Sequence, residues 1–273
     1  MAFGAGGPVG VAWMAGVVAG LKRGGVDLAA ADLVVGTSAG AMVGAVLASG
    51  RGTERLAEPV RPSPGEPELP PVDPALQSAV FDILRDGSLE PAEARLRVGA
   101  LAAGMDASHD RIHLDRMAAL LGARDWPATA LKVAAVDIDT GERRVFDRDS
   151  GVPLLPAVVA SRAMPGVFPP VGISGARYMD GGMYSATNAD LAAGMRLIVL
   201  IEPMARMLPR DQVRREIAEA GADTVVAIGP DAESTAAFGA DLGDRAAWVP
   251  AYRAGDRQGE GAAPSLLGSW GRV

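Results

Sequence analysis

Three short stretches of this chain hold residue types that could carry acyl-transfer chemistry. The first reads Gly36-Thr37-Ser38-Ala39-Gly40. A serine at the centre of Gly-x-Ser-x-Gly, with the apolar run Leu33-Val34-Val35 before it and an Ala-rich segment after it, has the pattern of a nucleophile elbow between a strand and a helix. Such a turn is tight enough to force strained dihedrals on the serine, so Gly36, Ala39 and Gly40 have to be small. The hydroxyl then lies at the sheet edge, near the positive end of the following helix. The second stretch, Tyr178-Met179-Asp180-Gly181-Gly182, places a carboxylate at the end of an apolar strand. Gly181 and Gly182 let the backbone turn at once and leave room around that carboxylate. The third, Gly4-Ala5-Gly6-Gly7-Pro8-Val9-Gly10, feeds a helix and presents backbone N–H groups at its positive end. Taken singly, each is common: Gly-x-Ser-x-Gly occurs by chance, and an Asp-Gly-Gly turn is more often only a turn.

Residue order decides which base could serve Ser38. An α/β-hydrolase triad runs Ser, acid, His, yet the two histidines are His109 and His113 and none follows Asp180. A Ser-His-Asp site would have to recruit one of those two, an unusual arrangement. A carboxylate is the natural alternative, and Asp180 is the best candidate, since partial burial beside Ser38 would raise its pKa toward the working range. Backbone N–H groups of Gly6 and Gly7 would stabilise the tetrahedral oxyanion, an effect of about 3–4 kcal/mol per donor in other acyl hydrolases. Pro8 has no N–H, which narrows the loop's donors to Ala5, Gly6, Gly7 and Val9. The same loop could instead cradle a phosphate. A dinucleotide site, however, needs a proper first strand and an acidic residue about 20 positions on. Only Met1 to Phe3 precede the loop, and Asp27 falls in a turn-like stretch. The oxyanion reading also needs an anchor before the loop: a short first strand, or a start site a few residues late.

The elements that must hold these residues follow from periodicity. Val11, Met14, Ala15, Val18 and Leu21 recur at helical spacing. Residues 131–137 and 143–147 read as strand, turn and strand, and 153–161 as a helix. Residues 196–202 and 223–229 read as buried strands, with helices at 211–220 and roughly 246–253. Alternating strands and helices predict an α/β sheet covered on both faces. Residues 50–73 hold Pro59, Pro62, Pro64, Pro67, Pro70 and Pro71 and read as an extended linker. Helical patterns follow at 75–84, 90–103 and 110–121, the last with Asp110 as its N-cap. Residues 50–125 together form a helical insertion over the mouth of the site, either a moving lid or plain packing against the sheet. The Gly-rich tail, 255–273, is expected to be loose. His109 and His113 stand four apart, as metal ligands on one helix face could. Without an acidic partner in a known ligand motif they read better as two solvated side chains.

Composition bounds the rest. The 273 residues fit one α/β domain, and 49% hydrophobic residues supply a core that the 4% of aromatics cannot dominate. A net charge of −7 and no basic patch argue against nucleic acid as the main partner. The absence of cysteine excludes disulfides, thiolate metal sites and cysteine nucleophiles. No stretch reaches the roughly 18–20 uninterrupted apolar residues of a spanning helix. With no basic leader before the glycine loop, a cytoplasmic location is expected.

Taken together, Gly-Gly-x-x-Gly near the N-terminus, Gly-Thr-Ser-Ala-Gly about 30 residues later and Asp-Gly-Gly well downstream resemble the patatin-like phospholipase family. The stretch from Val158 to Asp190 is similar to that family's approach to its catalytic aspartate. The resemblance covers residues 4–48 and 130–202. It implies a patatin-like three-layer α/β/α sandwich with a mostly parallel central sheet, and a Ser-Asp dyad hydrolysing lipid acyl esters without metal or other cofactor. It also assigns the roles: Ser38 nucleophile, Asp180 base, Gly6 and Gly7 oxyanion donors, with Gly36, Gly40, Gly181 and Gly182 supporting the turns. One position departs: where the family has Arg or Lys two residues after its glycine run, this chain has Val9, removing a cation from beside the oxyanion. The alternative function is a catalytically silent lipid- or nucleotide-binding module on the same fold, with a dinucleotide-dependent reductase third. Phospholipid substrates would require transient contact with a membrane surface, for which the insertion's apolar faces are suited. The sequence carries no indication of oligomeric state.

Overall fold

A computed structural model describes residues 1–60, 72–107 and 110–270. Its strands are β1 (Ala2–Phe3), β2 (Leu33–Thr37), β3 (Ala130–Asp137), β4 (Arg143–Phe146), β5 (Val171–Ile173), β6 (Ala176–Asp180), β7 (Leu197–Ile201) and β8 (Thr224–Ile228). Its helices are α1 (Gly7–Arg23), α2 (Ala39–Ala48), α3 (Pro74–Arg85), α4 (Pro91–Ala103), α5 (Asp110–Leu121), α6 (Leu154–Ser161), α7 (Asp211–Ala220), α8 (Ala232–Phe238) and α9 (Trp248–Trp270). The strands form one sheet in the order β5-β6-β3-β2-β1-β7-β8, with β4 paired to β3. Neighbours from β3 across to β8 run parallel, while β4 and β6 pair antiparallel with β3. The anchor before the glycine loop is therefore present but short: Ala2 and Phe3 sit mid-sheet, hydrogen-bonded to both β2 and β7.

Alternation along each strand divides the core in two, because successive side chains point to opposite faces. Phe3, Val34, Val133, Ala135, Val199 and Ile201 face α1, α2, α6 and α9. Ala2, Leu33, Val35, Ile198 and Leu200 face α7 through Val213 and Ala220. Further along that second face, Val80 of α3 and Val98 of α4 pack on Val136, Ile138 and Met179. The result is a three-layer α/β/α arrangement around a mostly parallel sheet.

Helix α1 is apolar all round and buried from Val9 to Leu21, as a helix enclosed by others must be. Its cover is α9, where the tail departs from the expectation of a loose segment. The helix predicted at 246–253 runs on to Trp270. The glycines that suggested looseness are an interface. A Cβ on Gly16 or Gly20 would run into the carbonyl oxygens of Tyr252 and Asp256, and one on Gly255 or Gly259 into those of Trp13 and Val17. Small residues spaced four apart on both helices let the two backbones touch, and the dispersion gained offsets the helix propensity glycine gives up. Part of the 50–73 linker is likewise tied down. Thr53 and Leu56 are buried; the Thr53 hydroxyl donates to Ala15 O (3.1 Å), and Trp248 Nε1 donates to Leu56 O (2.8 Å). The prolines at 62, 64, 67, 70 and 71 lie outside the described residues.

Candidate active site

Ser38 follows β2 directly and precedes the first turn of α2, with φ 53° and ψ −116°. That backbone costs a non-glycine residue on the order of 1–3 kcal/mol, and the neighbours hold it. The Ser38 N–H donates to the Ser161 hydroxyl (2.9 Å), the Ser38 carbonyl accepts from Ala41 N (3.0 Å), and Gly40 N–H donates to Gly4 O (3.1 Å). A methyl at Gly40 would strike the Phe3 main chain, and one at Gly36 would meet Ala41 Cα at 2.6 Å. Thr37 is braced from the far side, its hydroxyl accepting from Asn188 Nδ2 (3.0 Å). Glu216 in turn holds the strap around Asn188 by accepting from the Thr187 hydroxyl (2.5 Å) and Ala189 N–H (3.0 Å).

Strand register brings the carboxylate to the serine. Thr37 pairs with Ala134, and the next residue of β3, Ala135, pairs with Asp180. Ser38 and Asp180 thus lie level with one another, though 142 positions apart in sequence. The Ser38 hydroxyl donates to Asp180 Oδ2 at 2.6 Å, and Asp180 Oδ1 accepts from Gly182 N–H at 2.7 Å. Asp180 N–H donates to Ala163 O (2.9 Å). Gly181 is required because a Cβ there would collide with Ala134 O, and Gly182 because its N–H fixes the carboxylate. Asp180 is 3% exposed and Ser38 8%. Burial pushes the Asp180 carboxyl up to about 6, against the opposing pull of the Ser38 hydroxyl, the Gly182 N–H and Arg162.

In the glycine loop, two of the four available N–H groups are already engaged. Ala5 N–H donates to Ala186 O (2.8 Å) and Val9 N–H to Leu242 O (3.1 Å). Those of Gly6 and Gly7 have no acceptor among the described residues. Gly6 has no room for a side chain against Pro203, and Gly7 has φ +60° beneath Leu242 O. A third unengaged N–H belongs to Ala39 at the head of α2, the position that completes an oxyanion hole in other elbows; sequence reading did not single it out.

The structure adds two residues beside the dyad. Ser161 supplies the elbow's acceptor from inside an apolar helix, where nothing in the sequence marks it. Arg162, which caps α6, is a cation inside the run Val158-Val159-Ala160-Ser161-Arg162-Ala163-Met164, and a charge in so apolar a stretch is itself a flag. His113 is a correction: it is buried rather than solvated. Its ring stacks on Phe168 (centroids 4.0 Å apart), and neither ring nitrogen has a partner among the described residues. Burial, then the charges of Arg162, Arg116 and Arg245, pushes its pKa down to about 4. With Leu114, Val159, Ala163, Phe168, Pro169 and Val171 it lines a cavity of about 30 Å³, space for little more than a water. His109 lies outside the described residues, and among those described no three His, Asp or Glu side chains gather as a metal site would require.

The sequence model of the patatin-like phospholipase family matches residues 1–193. No curated protein sequence matches this chain. Among solved structures, VipD from Legionella pneumophila is similar at 14% identity and a TM-score of 0.47, over 96% of this chain and 66% of that one. The type III effector protein ExoU is similar at 16% identity and a TM-score of 0.39, over 96% of this chain and 52% of its own. The chain thus spans just under two thirds of one and about half of the other.

Proposed function

Because this chain belongs to the patatin-like phospholipase family, we propose that it hydrolyses lipid acyl esters through an acyl-enzyme on Ser38, with Asp180 as the base. The observation that carries the proposal is the 2.6 Å hydrogen bond from the Ser38 hydroxyl to a buried carboxylate. Asp180 takes the serine proton as Ser38 attacks the ester carbonyl and passes it to the departing alkoxide. It then takes a proton from water, which attacks the acyl-enzyme, and returns that proton to the Ser38 oxygen as the acid is released. A pKa near 6 keeps Asp180 ionised at neutral pH while leaving it a stronger base than an exposed aspartate. The N–H groups of Gly6, Gly7 and Ala39 receive the oxyanion, and being main-chain dipoles they need no reorganisation. Val9 brings no cation to this hole, so its stabilisation rests on those donors. Phospholipase, lysophospholipase and simple carboxylesterase activities all fit the scheme. No helix among the described residues is long and apolar enough to cross a membrane, so a bilayer substrate would be met at its surface.

The test is hydrolysis of p-nitrophenyl esters of increasing chain length by the wild type, Ser38→Ala and Asp180→Asn, with labelling by a fluorophosphonate. Ser38-dependent labelling and turnover are expected. Turnover that survives Ser38→Ala would overturn the role of Ser38, and a protein with no turnover and a serine inert to the probe would favour the silent binding module instead.

A further inference from the structure

Arg162 occupies a position that neither the dyad nor the fold accounts for. It stands between two residues tied to the catalytic pair: Ser161 accepts from Ser38 N–H (2.9 Å), and Ala163 O accepts from Asp180 N–H (2.9 Å). Its backbone is therefore tied on both sides to residues that hold Ser38 and Asp180, and its charge acts on the Asp180 carboxyl. Although the residue as a whole is part-exposed, Nε and Nη1 are shut off from solvent and have no hydrogen-bond partner among the described residues. Asp180, whose oxygens accept from Ser38 and Gly182, accepts from neither of them. A buried guanidinium with idle donors is costly, and it is the group best shaped to hold a phosphate or carboxylate by two parallel hydrogen bonds.

We propose that Arg162 is a specificity residue that binds an anionic group carried on the leaving alcohol of the ester. The inference rests on the hydrolase reading above. The side of the site follows from the proton's path: Asp180 protonates the departing oxygen, so groups packed beside Asp180 lie beside the alcohol, while the glycine loop lies beside the acyl oxyanion. The surroundings agree. Asp180 and Arg245 are the charges that act on Arg162 among the described residues. Arg245, exposed before α9, adds positive potential. Burial lowers the Arg162 pKa only to about 10, which leaves it charged at neutral pH.

Four esters separate the possibilities: 1-octanoylglycerol, 1-octanoylglycerol 3-phosphate, 3-(octanoyloxy)propionate, and an acyl-side control in which glycerol is esterified to a dicarboxylic acid. For the wild type, kcat/KM is expected to favour the two alcohol-side anions over the neutral ester on the order of 10- to 100-fold, and not to favour the acyl-side anion. Arg162→Met removes that preference, chiefly through KM, and Arg162→Lys retains part of it. A wild type with Ser38-dependent turnover but no such preference would overturn the inference and leave the hydrolase reading standing. An Arg162→Met variant slowed equally on all four esters would also overturn it, since a helix-capping cation alone would behave that way. Absence of Ser38-dependent turnover on every ester would remove both readings. Should Arg162→Met fail to fold, the wild-type preference and its fall in Arg162→Lys decide the matter.

Discussion

Replacing Asp180 with asparagine should remove activity and, above about pH 6, make the protein more stable. The folded-state pKa of Asp180 is about 6, raised from 3.8 by burial. An acid whose pKa is raised on folding binds its proton more tightly in the folded state. Its ionisation therefore opposes folding at any pH above its unfolded value, and the full cost is reached once pH exceeds the folded value. A rise from 3.8 to about 6 is worth roughly 3 kcal/mol, at 1.36 kcal/mol per tenfold. Little screening softens the figure, since the side chain is 3% exposed. An asparagine side chain has nearly the same shape, and its carbonyl can still accept from Gly182 N–H, so the pH-independent change is small. The stability gain of Asp180→Asn should grow from under about 1 kcal/mol at pH 4 to about 3 kcal/mol at pH 7.5. For a chain of this length the latter corresponds to about 5 °C in Tm. Paired urea or thermal unfolding curves at pH 4, 5, 6 and 7.5 measure it, with turnover falling on the order of 10²- to 10⁴-fold. Parallel pH–stability curves for variant and wild type would refute the reasoning, because they would mean that Asp180 is not held ionised against its burial. In the wild type the same titration should appear as a kcat/KM that rises with pH through about 6 and then levels off.

His113→Phe should flatten acid denaturation. A histidine depressed from 6.5 to about 4 gives stability that is intact above 6.5 and lost as pH falls toward 4. The variant should therefore exceed the wild type by about 3 kcal/mol near pH 4 and match it near pH 7.5, as urea midpoints at the two pH values will tell. Ser161→Ala leaves the Ser38 N–H buried without its acceptor, which costs about 1–3 kcal/mol of stability. It should also lower kcat more than it raises KM, because the strained elbow loosens; steady-state kinetics on a soluble ester would measure the split. Gly259→Val drives a side chain into the Val17 carbonyl of α1 and should cost at least about 1–3 kcal/mol by denaturant unfolding. A neutral result would restore the loose tail that the sequence suggested.

The Ser38–Asp180 pair was legible because the chemistry proposed for it constrains residue types over a few neighbouring positions. Small residues must flank Ser38, glycines must follow Asp180, and the lack of a histidine downstream leaves a carboxylate as the natural base. Each of these constraints is local, and each of the predicted glycines meets a backbone or side chain that explains it. What escaped was set by tertiary contact. Gly255 and Gly259 read as flexibility because the helix that needs their missing side chains begins some 240 residues earlier. Ser161 is an unremarked hydroxyl in an apolar helix until the fold brings Ser38 N–H to it, and Ala39 is one alanine among many until its N–H is left idle. His113 was misjudged because a helix's polar positions do not reveal which face a neighbour will cover; Phe168 covers this one.

Arg162 joins the two kinds of evidence. An arginine in an apolar stretch is visible in the sequence, but only the contacts of the residues on either side place it at the dyad. On the proposed reading the chain has Val9 where a cation beside the oxyanion would stand, and it carries a guanidinium whose charge acts on Asp180. A cation beside the oxyanion would favour the transition state of any ester alike. One beside the leaving alcohol discriminates, because it acts only on esters whose alcohol bears the opposite charge. The position of the positive charge thus exchanges general rate for selectivity, and Arg162→Met measures that exchange. The same substitution removes the cation that holds the Asp180 pKa down. The acidic limb of the pH–rate profile should therefore move upward, even on a neutral ester. A limb that stays in place would mean that the guanidinium lies too far from the carboxylate to serve either purpose.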